Sequence, residues 1–233
     1  MPATRLPRNP EFRPVADHAL LVVFGETIGD EAHAAVRRLD RAIEARPFAG
    51  FVEAVPAYVS LLVDFDPLTT DHGAVEAAVR ALLHGADEAE AEPAVREVLV
   101  CYDEALAPDL GAVARQAGLS VDAVIAAHLA GDYRVYMYGF APGYAYLAGV
   151  PETIQLPRKA TPLRGVAAGS VLIAGPQCLV STLTMPTGWW IIGRSPTRIL
   201  TEDAARPFLF DPGDRVVFRR IDPASYMAAA NAG

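Results

Sequence analysis

The chain has 233 residues and a formal net charge of −8 at pH 7, and 52% of its residues are apolar while only 21% are charged. This composition supports a substantial buried core in one large or two small domains, which excludes a largely disordered chain. The acidic balance, with a pI of about 5.1 and no run rich in lysine or arginine, argues against a nucleic-acid partner held by phosphate contacts.

The cysteines and the hydropathy indicate the compartment. Cys101 and Cys178 lie far apart and outside any Cys-x-x-Cys spacing, which predicts reduced thiols and neither a disulfide nor a zinc site. Residues 1–14 contain arginines but no apolar signal segment, and no later segment approaches about eighteen uninterrupted apolar residues. We therefore expect a cytoplasmic protein without a membrane partner and with a flexible tail at residues 1–14.

The first part of the chain has the pattern of a small α+β domain, which we place at residues 15–86. The order strand, helix, strand, strand, helix favours two helices on one face of an antiparallel sheet, with Asp71 as the N-cap of the second helix. The predicted elements are a strand over His18–Phe24, a helix from Asp30 through Ile43, strands over Phe51–Val55 and Tyr58–Phe65, and a helix over Asp71–Leu83.

A change of composition follows. His84–Pro93 carries four acidic residues, a glycine and a proline with nothing large to bury, so we place a linker at residues 87–94. Beyond it, short β-prone runs separated by glycine and proline turns predict a mostly-β closed barrel at residues 95–225, before a flexible tail at residues 226–233. The predicted elements are strands over Val95–Tyr102, Tyr133–Phe140, Ser170–Ala174, Cys178–Thr184, Trp189–Ile192 and Arg215–Ile221, and helices over Asp109–Ala117 and Ser120–Leu129.

The stretch Gly139–Leu147 is unusual because its nine positions hold two glycines, one proline and three aromatic residues. Glycine reaches backbone conformations closed to other residues and proline fixes its own φ, so the segment predicts a shaped loop that displays rings. Phe140, Tyr144 and Tyr146 are therefore candidate binding residues, either for a small acid or for a partner protein.

Three arginines, Arg158, Arg164 and Arg194, lie next to turns that contain glycine or proline. Solvated loop arginines are common, and that is one interpretation. The other is a site for an acidic ligand, because the planar guanidinium group binds a carboxylate or a phosphate with two hydrogen bonds.

Both tryptophans of the chain, Trp189 and Trp190, are adjacent in a predicted strand. Neighbouring residues of a strand point to opposite faces, so the two rings cannot share one core unless the strand is buried on both sides. We expect one ring, Trp189, to line a groove or an interface.

Signatures of catalysis are sparse. His128 with Asp132 is the nearest candidate for an acid and base pair, although a histidine at a helix end is more typical of a packed ring or a partner of the helix terminus. The sequence lacks the glycine-rich phosphate loop, the Gly-x-Ser-x-Gly motif and a Cys/His ligand set. No catalytic, cofactor-binding or metal-binding residue is assigned.

Several of these segments occur together, and in order, in one known family. In this combination they resemble the family that includes allophanate hydrolase subunit 1, carboxyltransferase subdomain C/D, the B-type subunit of 5-oxoprolinase and the kinase inhibitor KipI. The segments are Asp17–Val22, Val55–Tyr58, Gly139–Leu147, Leu156-Pro157-Arg158, Ala168-Gly169-Ser170-Val171, Gly188-Trp189, Gly193-Arg194-Ser195-Pro196 and Pro212-Gly213-Asp214-Arg215-Val216.

The resemblance implies an N-terminal α+β domain and a cyclophilin-like barrel. It also implies a homologous larger barrel subunit as partner, like allophanate hydrolase subunit 2 or the C-type subunit of 5-oxoprolinase. Such a pair is similar to a component of ATP-dependent 5-oxoproline hydrolysis, in which ATP and a small acidic amide, a lactam or a ureido acid, are the substrates of the complex. Alternative functions are KipI-like inhibition of a histidine kinase, part of a biotin-dependent carboxyltransferase and, by fold analogy alone, peptide isomerisation.

The chain departs from the family pattern at three places. Family members have Pro-Arg at Pro162-Leu163, Tyr-Pro at Ser181-Thr182 and Pro-Gly-Gly-Trp at Pro186-Thr187-Gly188-Trp189. The loss of a tyrosine ring and of one glycine is expected to alter one wall of the same groove, so the resemblance leaves the substrate open.

Overall fold

The computed structural model describes residues 10–85 and 93–231, which belong to two compact units that divide at residue 93. The predicted linker at residues 87–94 lies outside the described residues, apart from Pro93 and Ala94. Each unit is built around an apolar core of its own.

The N-terminal unit is an antiparallel sheet of four strands with two helices. Its elements are β1 (Glu11–Val15), β2 (Ala19–Val23), α1 (Asp30–Ala45), β3 (Phe51–Pro56), β4 (Ser60–Phe65) and α2 (His72–Gly85). The strand order is β1-β2-β4-β3. Alternate residues of the central strands, such as Leu20 and Val22, pack against Val36 and Leu39 of α1 and Val79 of α2. Both helices therefore cover one face of the sheet, as the pattern predicted.

Two finer predictions concern the first residues of this unit and the N-cap of α2. Glu11–Val15 pairs with β2 along its whole length, from Glu11 opposite Val23 to Val15 opposite Ala19. The prediction of a flexible tail is therefore wrong for residues 11–14. These residues form an exposed edge strand, and its charged residues and proline give it the same composition as a tail. Asp71 does cap α2, since its Oδ1 accepts a hydrogen bond of 2.9 Å from Ala74 N.

The second unit contains the predicted closed barrel. The elements of this unit are β5 (Val95–Cys101), α3 (Leu110–Ala117), α4 (Val121–Ala130), β6 (Tyr133–Tyr138), β7 (Ala145–Ala148), a 3-10 turn (Glu152–Ile154), β8 (Leu163–Val166), β9 (Ser170–Ala174), β10 (Gln177–Val180), β11 (Met185–Thr187), β12 (Trp190–Arg194), β13 (Arg215–Ile221) and α5 (Pro223–Asn231). The seven strands of the barrel follow the order β10-β7-β6-β13-β5-β12-β9, and β9 pairs with β10 to close the wall. Strands β5 and β13 run parallel. The more specific likeness to cyclophilin stays a prediction.

The barrel wall is buried on both faces along β9. Val171 and Ile173 belong to the core inside the barrel, whereas Leu172 and Ala174 point to the other side. There they join a second cluster, the outer apolar layer, which also contains Val166 of β8 and packs against Met185 of β11. The two-stranded ribbon of β8 and β11 thus lies over the outer face of the barrel. The full layer consists of Tyr144, Val166, Leu172, Ala174, Leu179, Trp189 and Ile191.

Several parts of this unit differ from the sequence-based prediction. Strands β8 and β11 were not predicted, and the predicted strand over Cys178–Thr184 ends at Val180 in β10. Strand β7 occupies the second half of the predicted loop, so that the irregular part ends at Tyr144. Helix α5 covers most of the predicted tail at residues 226–233, and that prediction is wrong for residues 226–231. Alanine is a strong helix former, and Asp222 accepts a hydrogen bond of 2.8 Å from Ser225 N at the helix start.

Within the described residues, no single helix is long and apolar enough to cross a membrane. Helices α3 and α4 pass that test only as a pair, across a bend of 92°.

Candidate functional site

A cavity of about 370 Å³ lies at the outer apolar layer, with which it shares Tyr144, Leu179 and Trp189. We call it the aromatic cavity. Its lining comes from the loop before β7, the segment before β8, and the residues around β11 and the start of β12. The lining residues are Phe140, Tyr144, Tyr146, Arg158, Lys159, Pro162, Leu179, Pro186, Thr187, Gly188 and Trp189. None of these described lining residues is acidic.

Four aromatic rings form a continuous series along the cavity. The ring centroids of Phe140 and Tyr144 are 5.6 Å apart, those of Tyr144 and Tyr146 are 6.3 Å apart, and those of Tyr146 and Trp189 are 6.0 Å apart. Tyr144 directly precedes β7 and Tyr146 is the second residue of that strand, so the two rings, two positions apart, lie on one face. The structure thus brings together all four aromatic residues that the sequence singled out.

The backbone of the loop has the special shape that its glycines and proline indicated. Gly143 has φ +70°, and a Cβ there would lie 2.7 Å from Leu200 Cδ2. Phe140 also has φ +70°, and Ala141 N donates to Gly139 O across it at 2.9 Å, the hydrogen bond of a γ-turn. A positive φ is strained for a residue with a large side chain. This strained backbone holds the Phe140 ring 75% exposed at the rim of the cavity.

Arg158 supplies an unpaired positive charge to the cavity. Its Cζ lies 5.6 Å from the centroid of the Trp189 ring, in a cation–π arrangement. No carboxylate of the described residues lies within ion-pair distance of this guanidinium group. It is therefore available to an acidic ligand that enters beside the indole ring.

Lys159 lines the same cavity but is paired. Its Nζ lies 2.5 Å from Asp109 Oδ2, and the side chains are only 11% and 15% exposed. Sequence reasoning did not select Lys159, although a signal was present, since it is the only lysine in the 233 residues. Asp109 lies 50 positions away, and no local pattern connects the two residues.

The other two predicted arginines lie elsewhere. Arg164 is exposed on β8 and does not line the aromatic cavity. Arg194 on β12 donates from Nε and Nη2 to Ala168 O at 3.2 and 3.1 Å. The structure therefore does not bring Arg158, Arg164 and Arg194 together in this cavity.

The residues at which the chain departs from the family pattern line two different cavities. Pro162, Pro186 and Thr187 line the aromatic cavity. Ser181 and Thr182 instead line a second cavity of about 300 Å³. The positions of the lost tyrosine and the lost glycine, which were expected to alter one wall, therefore line different cavities, although Thr182 Oγ1 donates to Pro142 O in the loop before β7 at 2.7 Å.

The two tryptophans face opposite sides, as predicted. Trp189 is 5% exposed and belongs to the outer apolar layer, whereas Trp190 packs against the core inside the barrel. Trp190 also donates from Nε1 to Pro157 O at 2.8 Å. The indole that lines the cavity is Trp189.

The phenol groups of the cavity stay protonated near neutral pH. Burial raises the pKa of Tyr144 to about 12. Burial also raises the pKa of Tyr146, and the positive charge of Arg158 opposes that rise. Both groups are therefore hydroxyls, and that of Tyr144 can donate a hydrogen bond to a ligand oxygen.

His128 is a packed ring rather than an acid or base partner of Asp132. It is fully buried, its Nδ1 lies 2.7 Å from the Tyr102 hydroxyl, and its Nε2 lies 3.6 Å from Cys178 Sγ. Burial lowers the pKa of His128 to about 3. Asp132 pairs with Arg215 at 2.9 Å instead. The described residues also contain no group of three His, Cys, Asp or Glu side chains placed to hold a metal ion.

The fold and the site define a class: an α+β unit followed by a closed barrel with a cationic, aromatic cavity on its outer face. The family model described as carboxyltransferase domain, subdomain C and D, matches residues 10–210. The chain belongs to this family, which confirms the resemblance given by its sequence.

Individual relatives agree with this assignment. The B-type subunit of 5-oxoprolinase from Bacillus subtilis (strain 168) is 35% identical over 229 residues, which cover 94% of this chain and 95% of the relative. The solved structure of TTHA0988 is 35% identical with a TM-score of 0.78, and the match covers 88% of this chain but only 40% of that chain. Protein PH0987 from Pyrococcus horikoshii is 39% identical with a TM-score of 0.55, over 93% of this chain and 100% of that chain.

Proposed function

We propose that the chain is a subunit of a two-component, ATP-dependent amidohydrolase that opens a lactam or a ureido acid, and that the aromatic cavity binds this acid. The family, and the relative named as a 5-oxoprolinase subunit, support the reaction class. The cavity supports the class of ligand.

The observation that carries the proposal is the unpaired guanidinium group of Arg158 over the Trp189 ring. A carboxylate can accept two hydrogen bonds from guanidinium, and the non-acidic lining does not repel it. A small planar ring next to that carboxylate packs against the aromatic faces. 5-Oxoproline combines these features in one molecule.

The residues of the cavity bind and orient the substrate in this proposal. Arg158 holds the carboxylate, the protonated phenol of Tyr144 is a donor for the amide oxygen, and the Tyr146 ring lines the cavity. The terminal phosphoryl group of ATP passes to the amide oxygen, which activates the carbonyl carbon. A first water adds to that carbon, and the C–N bond breaks as the nitrogen takes a proton, which leaves an acyl phosphate. A second water attacks the acyl phosphate, so that the carboxylate forms and phosphate leaves. For 5-oxoproline the products are glutamate, ADP and phosphate, and two water molecules are consumed in total.

ATP and the catalytic groups belong to the complex in this proposal. Of the two cations that line the cavity, Lys159 is already paired with Asp109 and only Arg158 is unpaired. One unpaired cation suits a single carboxylate rather than a triphosphate. We therefore assign ATP binding to the assembly with a homologous larger barrel subunit.

The test is a coupled assay of the purified chain with that partner subunit, ATP and 5-oxoproline. We expect ADP and glutamate to form in equal amounts, and only when both subunits are present. A ureido acid such as allophanate replaces 5-oxoproline in a parallel reaction. If neither compound is turned over in a reaction that depends on the partner subunit, the proposed reaction is ruled out.

A second candidate is inhibition of a histidine kinase, and the 75% exposed ring of Phe140 favours it. A large exposed ring can anchor a protein interface, whereas the Tyr144 ring is only 3% exposed. In a pull-down with purified kinases, loss of capture in Phe140→Ala supports this candidate. Capture that Phe140→Ala does not weaken counts against this surface.

A further inference from the structure

Lys159 is the one lysine among the 20 lysines and arginines of the chain. Lysine carries a compact ammonium group, whereas arginine carries a broad planar fork, so the two are not interchangeable in a confined place. The Lys159 side chain is confined, because only 11% of it is exposed. Position 159 is therefore a place where the shape of the cation matters.

The partner of Lys159 connects three parts of the barrel unit. Asp109 directly precedes α3, and its Oδ2 accepts from Lys159 Nζ at 2.5 Å and from the backbone N of Ile191 on β12 at 2.8 Å. One carboxylate oxygen thus links the start of α3, the strand β12 and the segment 157–159. Nearly buried ion pairs of this kind are costly to break on one side, because the remaining charge is left unpaired.

The same segment is fixed on both sides of Arg158. Pro157 O accepts from Trp190 Nε1 at 2.8 Å, and Lys159 N donates to Gly188 O at 2.7 Å. Lys159 Nζ lies 5.7 Å from the Trp190 ring, while Arg158 Cζ lies 5.6 Å from the Trp189 ring. Neighbouring cations therefore lie over neighbouring indoles, and among the described residues only Lys159 of these two has a carboxylate within ion-pair distance.

We propose that Lys159 is a positioning residue. Bound to Asp109, it holds the segment 157–159 so that the Arg158 guanidinium group stays over Trp189 and faces the cavity. The identity of the ligand rests on the proposed function, whereas the placement of Arg158 can be measured without any ligand.

The first experiment measures the mobility of Arg158 in the isolated full chain by the heteronuclear NOE of its Nε–H group. The signal is assigned by its loss in Arg158→Gln. We expect a rigid group in the wild type, a mobile group in Lys159→Met and in Asp109→Asn, and no change in the exposed control Arg164→Gln. An Arg158 signal that stays rigid in both Lys159→Met and Asp109→Asn overturns the proposal.

The second experiment restores the ammonium group chemically. Lys159→Cys treated with 2-bromoethylamine gains a side chain of nearly the same length, while Cys101 and Cys178 are protected because they are 1% and 0% exposed. We expect the rigidity of Arg158 to return. Failure of this rescue in folded protein overturns the proposal.

The third measurement uses the complex with its partner subunit. Lys159→Met should raise the KM for 5-oxoproline about tenfold or more with little change in kcat, because a displaced binding group weakens substrate binding. A purely structural role lowers the melting temperature and leaves KM unchanged, which contradicts the proposal. A wild-type complex without turnover contradicts the proposed function instead, and the NOE result still decides the role of Lys159.

Discussion

The buried histidine of the barrel makes the stability of this unit depend on pH in a defined window. His128 has a pKa of about 3 in the folded chain because burial disfavours its charged form. In the unfolded chain its pKa is about 6.5. Between these two values the unfolded chain binds more protons than the folded chain, so stability falls as pH decreases through this window. Above it, His128 contributes no dependence on pH.

The expected magnitude follows from the difference between these pKa values. Each pH unit below about 6.5 costs about 1.4 kcal/mol, so the loss from His128 at pH 5 is about 2 kcal/mol. Carboxylates also titrate in this range, and a variant separates them from His128. His128→Gln does not titrate and keeps a polar group near the Tyr102 hydroxyl, which lies 2.7 Å from His128 Nδ1.

The assay is urea unfolding followed by tryptophan fluorescence. Trp189 and Trp190 are the only tryptophans and both lie in the barrel unit, so the signal reports on that unit. We expect the free energy of unfolding of the wild type, minus that of His128→Gln, to be about 2 kcal/mol smaller at pH 5 than at pH 7. A difference that is the same at both pH values would refute the account of His128.

Three further predictions concern other parts of the chain. Burial raises the pKa of Asp40 to about 6, so the ionisation of Asp40 lowers the stability of the fold as the pH rises from about 4 to about 6. Asp40→Asn should therefore stabilise the protein by about 1 kcal/mol at pH 8 and give no gain below about pH 4, as measured by urea unfolding followed by circular dichroism. Gly143→Ala should lower the melting temperature more than Gly165→Ala. Both glycines have a positive φ, but only a Cβ at position 143 would meet a neighbour, Leu200 Cδ2 at 2.7 Å. Equal decreases in melting temperature would contradict this contact. Phe140→Gly should not lower the melting temperature, because glycine relieves the strained φ of this position. The same substitution should weaken the capture of any protein partner that binds the Phe140 ring.

The sequence predicted the elements whose apolar spacing is regular. Strand β2 is a continuous apolar run, and the buried positions Val36, Leu39 and Ile43 of α1 recur at helical spacing. The bounds of both elements differ from the prediction by at most two residues. Glu11–Val15 and Pro223–Asn231 were not predicted, because an exposed edge strand and a helix without buried residues have no apolar pattern. Their structure depends on pairing and capping.

The composition of the sequence predicted the aromatic part of the site. Phe140, Tyr144 and Trp189 are costly aromatic residues near turns, and the structure places them in one cavity with Arg158. The spacing of residues could not show that Arg158 lines the cavity and that Arg194 does not, because the direction of each side chain depends on the register of distant strands.

The most direct test of the central claim asks whether Arg158 recognises the carboxylate of the substrate. The measurement compares kcat/KM for 5-oxoproline with that for 2-pyrrolidinone, which lacks the carboxylate, in the complex with the partner subunit. A hydrogen-bonded pair of charges is worth about 1.5–3 kcal/mol, so Arg158→Gln should reduce the preference for 5-oxoproline by about tenfold to a hundredfold. Arg164→Gln, which changes an exposed arginine of β8, should keep the wild-type preference. An unchanged preference in Arg158→Gln would contradict the claim that the aromatic cavity binds the acid.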